Sequence, residues 1–358
     1  MRPEPHEMSL LPMIAMIVSA GLPNTRLVDL EPNLDFPARG QETVKVFSGI
    51  DPKIPFDEMI ASWNVEPAEG ASLKVEVRAH GEGFDTKWYT MAQWSLDRHV
   101  SPRESVKGQR DENGTVDTDT LELKKPGRTL DVQVTLKTLG DGPTPRLKLL
   151  TFSFENGHRL ANPDSSPSPA WGKTIDVPQR AQNNYPNGGV LCSATSVSMI
   201  LWHYSNQLHK PEMNKDVPEV EEHVWDSVYK GAGNWPFNTA YAGSFPGMLA
   251  YVARFGGISD LEKWIEAGLP VICSVSFDML RGLPLSPTES GHLVVLVGFT
   301  KDGEPVINDP AFKNQVRRVY KRSDFEKAWA YSKRTVYLVY PEGSNVPENS
   351  DQLWISTK

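Results

Sequence analysis

Three runs in the first half of the chain alternate apolar and polar residues. They are "SLKVEVRAH" (72–80), "TLDVQVTLKT" (129–138) and "RLKLLTFSFEN" (146–156). A period of two is the mark of a half-buried strand. Between such runs stand clusters of turn formers, "EPAEGA" (66–71), "DENGT" (111–115) and "LGDGPTP" (139–145). Residues 60–79 read as a strand, a loop and a second strand. Short strands separated by Gly, Pro, Asn and Asp predict an antiparallel β-sandwich over 25–157.

The texture then changes. "CSATSVSMILWHYSNQL" (192–208), "GSFPGMLAYVARFGG" (243–257) and "SDLEKWIEAGL" (259–269) carry apolar residues at helical spacing. Ser259 or Asp260 is a natural cap for the last of these, and Gly268 a natural stop. Apolar runs at 270–277, 292–300, 304–310, 315–321 and 335–341 predict strands, with a helix over 321–332 between the last two. Helices followed by mostly antiparallel strands make an α+β domain over 174–342. The stretch "NGHRLANPDSSPSPAWGK" (156–173) is dense in Pro, Ser, Asn and Gly, and 158–173 reads as the linker between the domains. Residues 1–24 read as an N-terminal arm or a weak signal-like segment, and 343–358 as a polar tail. No internal repeat is present.

Composition narrows the function classes. With 358 residues the chain has room for two domains, and 39% hydrophobic residues suffice for packed cores. The net charge is -8 and the Lys and Arg residues are scattered, which argues against a nucleic-acid partner. No apolar run reaches the roughly 18 residues of a membrane span. Residues 8–23, "MSLLPMIAMIVSAGLP", have the length of a signal-peptide core, with Val18-Ser19-Ala20 as a cleavage site. Glu4, Glu7 and Pro12 do not suit that reading, and a first strand or packed arm is the alternative. An extracytoplasmic location and a cytoplasmic one both stay open.

Two cysteines do not make a disulfide framework. Cys273 lies in the apolar run "PVICSVSF" and reads as core. Cys192 follows "YPNGG" (185–189), which cannot be helical, and opens the first helical run. At a helix start, unpaired N–H groups and the dipole favour a thiolate, the nucleophilic form. A buried structural cysteine is the other reading. "KDGE" (301–304) carries the Asp-Gly signal of a hairpin, with His292 at the start of its first strand and Asn308-Asp309 at the end of its second. A hairpin centred on Asp302-Gly303 leaves His292 and Asp309 four residues out of step, on the order of 13 Å. His292 beside an acid or amide suits general base work; a strand cap followed by an Asx turn is the alternative. Gln182, ten residues before Cys192, carries a side-chain amide able to bind an oxyanion.

The order Gln, Cys at a helix start, distant His, then Asp resembles the papain-like cysteine peptidases. More closely it resembles the double-glycine (bacteriocin-leader) peptidase family and its bacterial relatives. The resemblance rests on "VPQRAQ" (177–182), "CSATSVSMIL" (192–201), "GHLVVLVGF" (291–299) and "NDPA" (308–311), and spans about 175–341. It implies a nucleophile at Cys192, a general base at His292, an orienting acid at Asp309 and an oxyanion-hole amide at Gln182. Asn308 is the second candidate for the third role, since papain uses an amide there. It implies a peptide or protein substrate and no metal or cofactor. Two departures stand beside the nucleophile: Ser193-Ala194 where the family has Gly-Pro, and the extra turn "YPNGG". Other acyl-transfer chemistry (transglutaminase, deamidase, amidase) on the same scaffold is one alternative. A non-catalytic surface or carbohydrate-binding protein is another, with Trp63, Trp88 and Trp94 as a stacking face. Residues 233–247, rich in aromatics, Gly and Asn, either wall a substrate cleft or pack as a connection. His203, His209 and His223 lack metal-site spacing.

Overall fold

The computed structural model describes residues 24–157, 167–289 and 291–347, and the backbone of 354–356. The signal-like run at 8–23 and most of the linker lie outside the described residues.

The N-terminal domain is built of strands β1 (Thr25–Asp29), β2 (Leu34–Asp35), β3 (Glu42–Ile50), β4 (Phe56–Val65), β5 (Ala71–Gly81), β6 (Phe84–Asp85), β7 (Tyr89–Ser95), β8 (Gly114–Asp117), β9 (Thr120–Thr138) and β10 (Arg146–Glu155). The first part of the 19-residue β9 pairs with β4 and β8, and the rest pairs with β5 and β3. One strand thereby belongs to both halves of the network. The halves face each other across a core in which Trp63 of β4 meets Trp94 of β7 edge-on, ring centres 6.4 Å apart. Both indoles are buried. Trp63 and Trp94 are therefore closed to a stacking sugar; the third, Trp88, is half-buried, with the Arg78 guanidinium over its ring.

Alternation in β5 is as the sequence predicts, apolar residues inward and polar residues outward. In β4 the polar residues Ser62 and Asn64 are buried too, because that face docks on the second domain.

The second domain contains α1 (Cys192–Leu208), α2 (Val217–Val224), α3 (Trp235–Ala242), β11 (Met248–Arg254), α4 (Ile258–Glu266), β12 (Val271–Val275), α5 (Phe277–Leu280), β13 (His292–Phe299), β14 (Pro305–Asn308), β15 (Arg317–Val319), α6 (Arg322–Tyr331) and β16 (Thr335–Pro341). A last strand, β17 (Trp354–Ser356), returns to pair with β1. The second sheet runs β11-β16-β12-β13-β14-β15, every pair antiparallel. Small residues in the first turns of α1 let it sit close on the sheet, and the Ser196 hydroxyl donates to the Leu293 carbonyl of β13 at 3.1 Å. The first half of α1 is buried nearly all round, as a helix must be when it is covered on several sides.

The domains share a polar seam along β11. That strand pairs with β16 on one edge only. Side chains of β4 satisfy part of the other. Asn64 accepts from the Ala250 N–H at 2.9 Å and donates to the Ala250 carbonyl at 2.7 Å, and Ser62 accepts from the Val252 N–H at 3.0 Å. Arg254 meets Glu58 and Glu155 at 2.7 and 2.8 Å. Leu27, Ile60 and Leu149 complete the seam by joining the core of the second domain.

Two elements differ from the sequence expectation. Residues 243–257 are not a helix: Gly247 takes a left-handed φ of +77°, and β11 follows. The pairing offered by β16 and β4 outweighs the helical spacing of these short apolar residues. Conversely, residues 235–242 form α3, capped by Asn234, whose side chain accepts from the Phe237 N–H. Helix α4 is capped at Gly257, two residues ahead of the expected Ser259, and Asp260 lies in its first turn and accepts from the Gly256 N–H at 2.9 Å. No helix among the described residues is long and apolar enough to cross a membrane.

Candidate active site

The chain ahead of Cys192 makes two short 3-10 turns, Gln182–Asn184 and Gly188–Val190, with Asn187 left-handed between them. Gly188 packs on the Gln182 carbonyl; a Cβ there would lie 2.2 Å from that oxygen. The "YPNGG" stretch is thus a tight reversal that brings Gly188 back onto Gln182. The Gln182 N–H donates to the Pro310 carbonyl at 2.9 Å, and Asn183 Nδ2 to the Ala311 carbonyl at 2.8 Å. These bonds tie the turn to the chain just past Asp309. The Gln182 side chain is buried, and its Oε1 has no hydrogen-bond partner among the described residues.

His292 opens β13. Phe277 packs on its imidazole at 4.8 Å. The Glu289 carboxylate accepts from the N–H groups of Phe277, Asp278 and Gly291. It thereby locks the α5 turn to the entry of β13. Phe312 stands on the far side of Phe277, with the Arg318 guanidinium stacked on it at 3.9 Å.

The hairpin register places Asn308 opposite Val295, with a bulge between Leu296 and Gly298. Asp309 then falls opposite Val294, two residues from His292 instead of four. The side chains bridge the remaining distance, and His292 Nε2 lies 2.7 Å from Asp309 Oδ1. Parity decides between the two candidate partners. Asn308 points to the other face of the sheet, where Nδ2 donates to the Val177 carbonyl at 3.1 Å and Oδ1 accepts from Arg317. Asp309, with no exposed surface, also accepts from the Tyr320 hydroxyl at 2.6 Å and the Ala311 N–H at 2.9 Å. Sequence reasoning did not find Tyr320, which carries no local signal.

With Nε2 committed to Asp309, Nδ1 of His292 is left for Cys192, whose side chain hydrogen-bonds the ring. Burial pushes the Cys192 thiol up. The hydrogen bond and charge of His292 outweigh it, helped by the Leu293 and Ser193 N–H groups, so its pKa falls below the ordinary thiol value. Burial likewise lowers the His292 pKa, and Asp309 with Cys192 raise it above the usual range. Asp309 is held low: burial opposes ionisation, but His292, Tyr320 and the Ala311 N–H prevail. Cys273 shows the contrast. It is fully buried and burial alone pushes its thiol far up. Ser193, one of the departures from the family pattern, bonds the buried Tyr337 hydroxyl at 3.0 Å. His203 and His223 are engaged elsewhere, with the Asp176 carbonyl and the Tyr241 ring. No cluster of metal-ligating side chains occurs among the described residues.

Residues 174–337 match the model described as the Peptidase_C39 like family, and residues 46–154 match the Peptidase C39 N-terminal domain. Among solved structures, a Bacillus anthracis protein described as a C39-like peptidase is similar at 19% identity. That match covers 48% of this chain and 98% of that one, with a TM-score of 0.37. A structure of infectious bursal disease virus, Gt strain, is similar at 11% identity over 44% of this chain and 40% of that one, with a TM-score of 0.21. No curated protein matches. The C-terminal half of the chain belongs to the peptidase C39-like family of papain-like cysteine peptidases, and a peptidase C39 N-terminal domain precedes it.

Proposed function

We propose that the protein hydrolyses peptide bonds with Cys192 as nucleophile, His292 as general base and acid, and Asp309 as the group that orients the ring. The observation that carries this reading is the buried imidazole held between a thiol and a carboxylate, with Nε2 2.7 Å from Asp309. The Cys192 thiolate attacks the carbonyl carbon, and the oxygen takes the charge. The Cys192 N–H lies in the first turn of α1, where backbone donors have no partner within the helix. Together with the Gln182 amide it forms the oxyanion hole. The imidazolium then gives its proton to the leaving amine. Water, deprotonated by the same ring, releases the acyl group from sulfur.

The test is labelling of the two thiols in the folded protein with iodoacetamide over a pH series, read by mass spectrometry. Cys192 is expected to react at and below neutral pH and Cys273 to stay unmodified. Labelling of Cys192 only above about pH 8.5, the range of an ordinary thiol, overturns the assignment. Offering an amine alongside water to the acylated enzyme separates hydrolysis from acyl transfer.

A further inference from the structure

Beyond sealing the edge of β11, the N-terminal domain fixes a loop of the second domain, residues 225–234, between α2 and α3. Arg103, fully buried, donates to the Trp225 carbonyl at 3.0 Å and also to the Glu222 carbonyl. The Ser227 N–H donates back to the Arg103 carbonyl at 3.1 Å. Asp226, fully buried, gathers the loop around its carboxylate. It accepts from the Val228 and Tyr229 N–H groups at 2.9 Å and from Asn234 at 2.9 Å, and across the domain boundary from the Ser105 N–H at 3.2 Å. At the loop's far end the Trp235 N–H donates to Asp119 at 2.8 Å. Asp119 stands in the β8–β9 turn of the N-terminal domain.

What this scaffold presents is Tyr229, an aromatic residue 49% exposed. Its ring lies over bare backbone: a Cβ on Gly231 would come within 2.9 Å of the ring, and one on Gly233 within 3.4 Å of the hydroxyl. The glycines are what allow the ring to lie flat. The Tyr229 hydroxyl is within electrostatic reach of the Cys192 sulfur. Trp235, at the loop's end, packs against the same core as Cys192. A half-exposed ring within electrostatic reach of the Cys192 sulfur, with its backbone pinned from another domain, is a preorganised contact for a ligand side chain.

We propose that Tyr229 is a specificity-determining contact for an apolar side chain of the peptide substrate, and that Asp119 of the N-terminal domain is its positioning residue. This rests on the peptidase reading above. The substrate residue stacks on the tyrosine ring. The N-terminal domain thereby takes part in recognition without supplying a reacting group.

The experiment uses the full chain and matched peptides carrying Phe, Leu or Gly at each position within four residues of the scissile bond. The readout is the ratio of kcat/KM for Phe or Leu over Gly at the most selective position. Tyr229→Ala lowers that ratio about tenfold, the scale of one apolar contact in a specificity site. Asp119→Ala, which removes the acceptor for the Trp235 N–H, lowers it in the same direction. Asp119→Asn, which keeps an acceptor, restores it. A purely structural role lowers both peptides equally and leaves the ratio unmoved; that result, or a wild type with no preference for Phe or Leu, overturns the proposal. Cleavage that persists in Cys192→Ala overturns the peptidase reading and this inference with it. Cys192-dependent cleavage with an unmoved ratio overturns the inference alone.

Discussion

The Cys192 sulfur and the His292 ring stabilise one another as thiolate and imidazolium, and Asp309 holds the far side of the ring. Under the proposed function the reactive form exists between the lowered thiol pKa and the raised imidazole pKa, so kcat/KM is expected to follow a bell. It falls on the acid side as the thiolate takes a proton, and on the alkaline side as the imidazolium loses one. In His292→Ala only the backbone N–H groups still oppose burial, so the alkylation midpoint of Cys192 moves up, toward or past the ordinary thiol value of about 8.5. A midpoint unchanged from wild type contradicts the pairing. Tyr320 makes a finer prediction. Its hydroxyl holds the oxygen of Asp309 that His292 does not use. Tyr320→Phe lowers kcat about tenfold, the scale of one hydrogen bond to a charged group, with KM little changed. Steady-state kinetics on one cleaved peptide decides it, and an unaffected kcat removes Tyr320 from the positioning of Asp309. Cys192, His292 and Asp309 were legible in the sequence because each sits at the end of a regular element. Tyr320, Phe277 and Tyr229 were not, because their place depends on how loops pack after the sheet has formed.

At the scale of elements, the turn from Gln182 to Leu191 is the most consequential. Gly188 is required for space, since the Gln182 carbonyl occupies the volume of a Cβ. Gly188→Ala displaces the turn and with it the buried Gln182 amide, at a cost of about 1–3 kcal/mol for overpacking. Peptide hydrolysis is expected to fall while Cys192 still reacts with iodoacetamide, because the thiol's own partners lie on α1 and β13. Equal loss of both would place the damage in the fold instead of the oxyanion site. The same scale shows where sequence reading stops. A hairpin loop centred on Asp302 and the bulge at Leu296–Gly298 each remove one residue of the four-residue offset between His292 and Asp309, and no residue pattern announces the bulge. The helical spacing of 243–257 was misleading because β16 and the β4 side chains supply a better partner than an isolated helix turn. For 235–242 the signals were present, Asn234 as cap with Pro236 in the first turn and Gly243 at the end, but the aromatic and glycine content drew the reading to a loop.

For the molecule as a whole, the alternating pattern of β4 was legible as a strand and its polar face was not legible as an interface. Asn64 and Ser62 look like solvent-facing residues in the sequence. They are buried against the free edge of β11. Asn64→Ala strands two buried backbone groups of Ala250, each worth about 1–3 kcal/mol. Urea unfolding is therefore expected to lose about 2–6 kcal/mol with the slope unchanged. A change below 0.5 kcal/mol, the scale of an ordinary surface substitution, contradicts the seam as a stabilising contact. The most direct test of the account is hydrolysis of a peptide library by the full chain and by Cys192→Ala at equal concentration, with intact-mass detection of the acyl-enzyme. The predicted result is cleavage and a Cys192 thioester in the wild type, and neither in the variant. Cleavage by Cys192→Ala at the wild-type rate would contradict it.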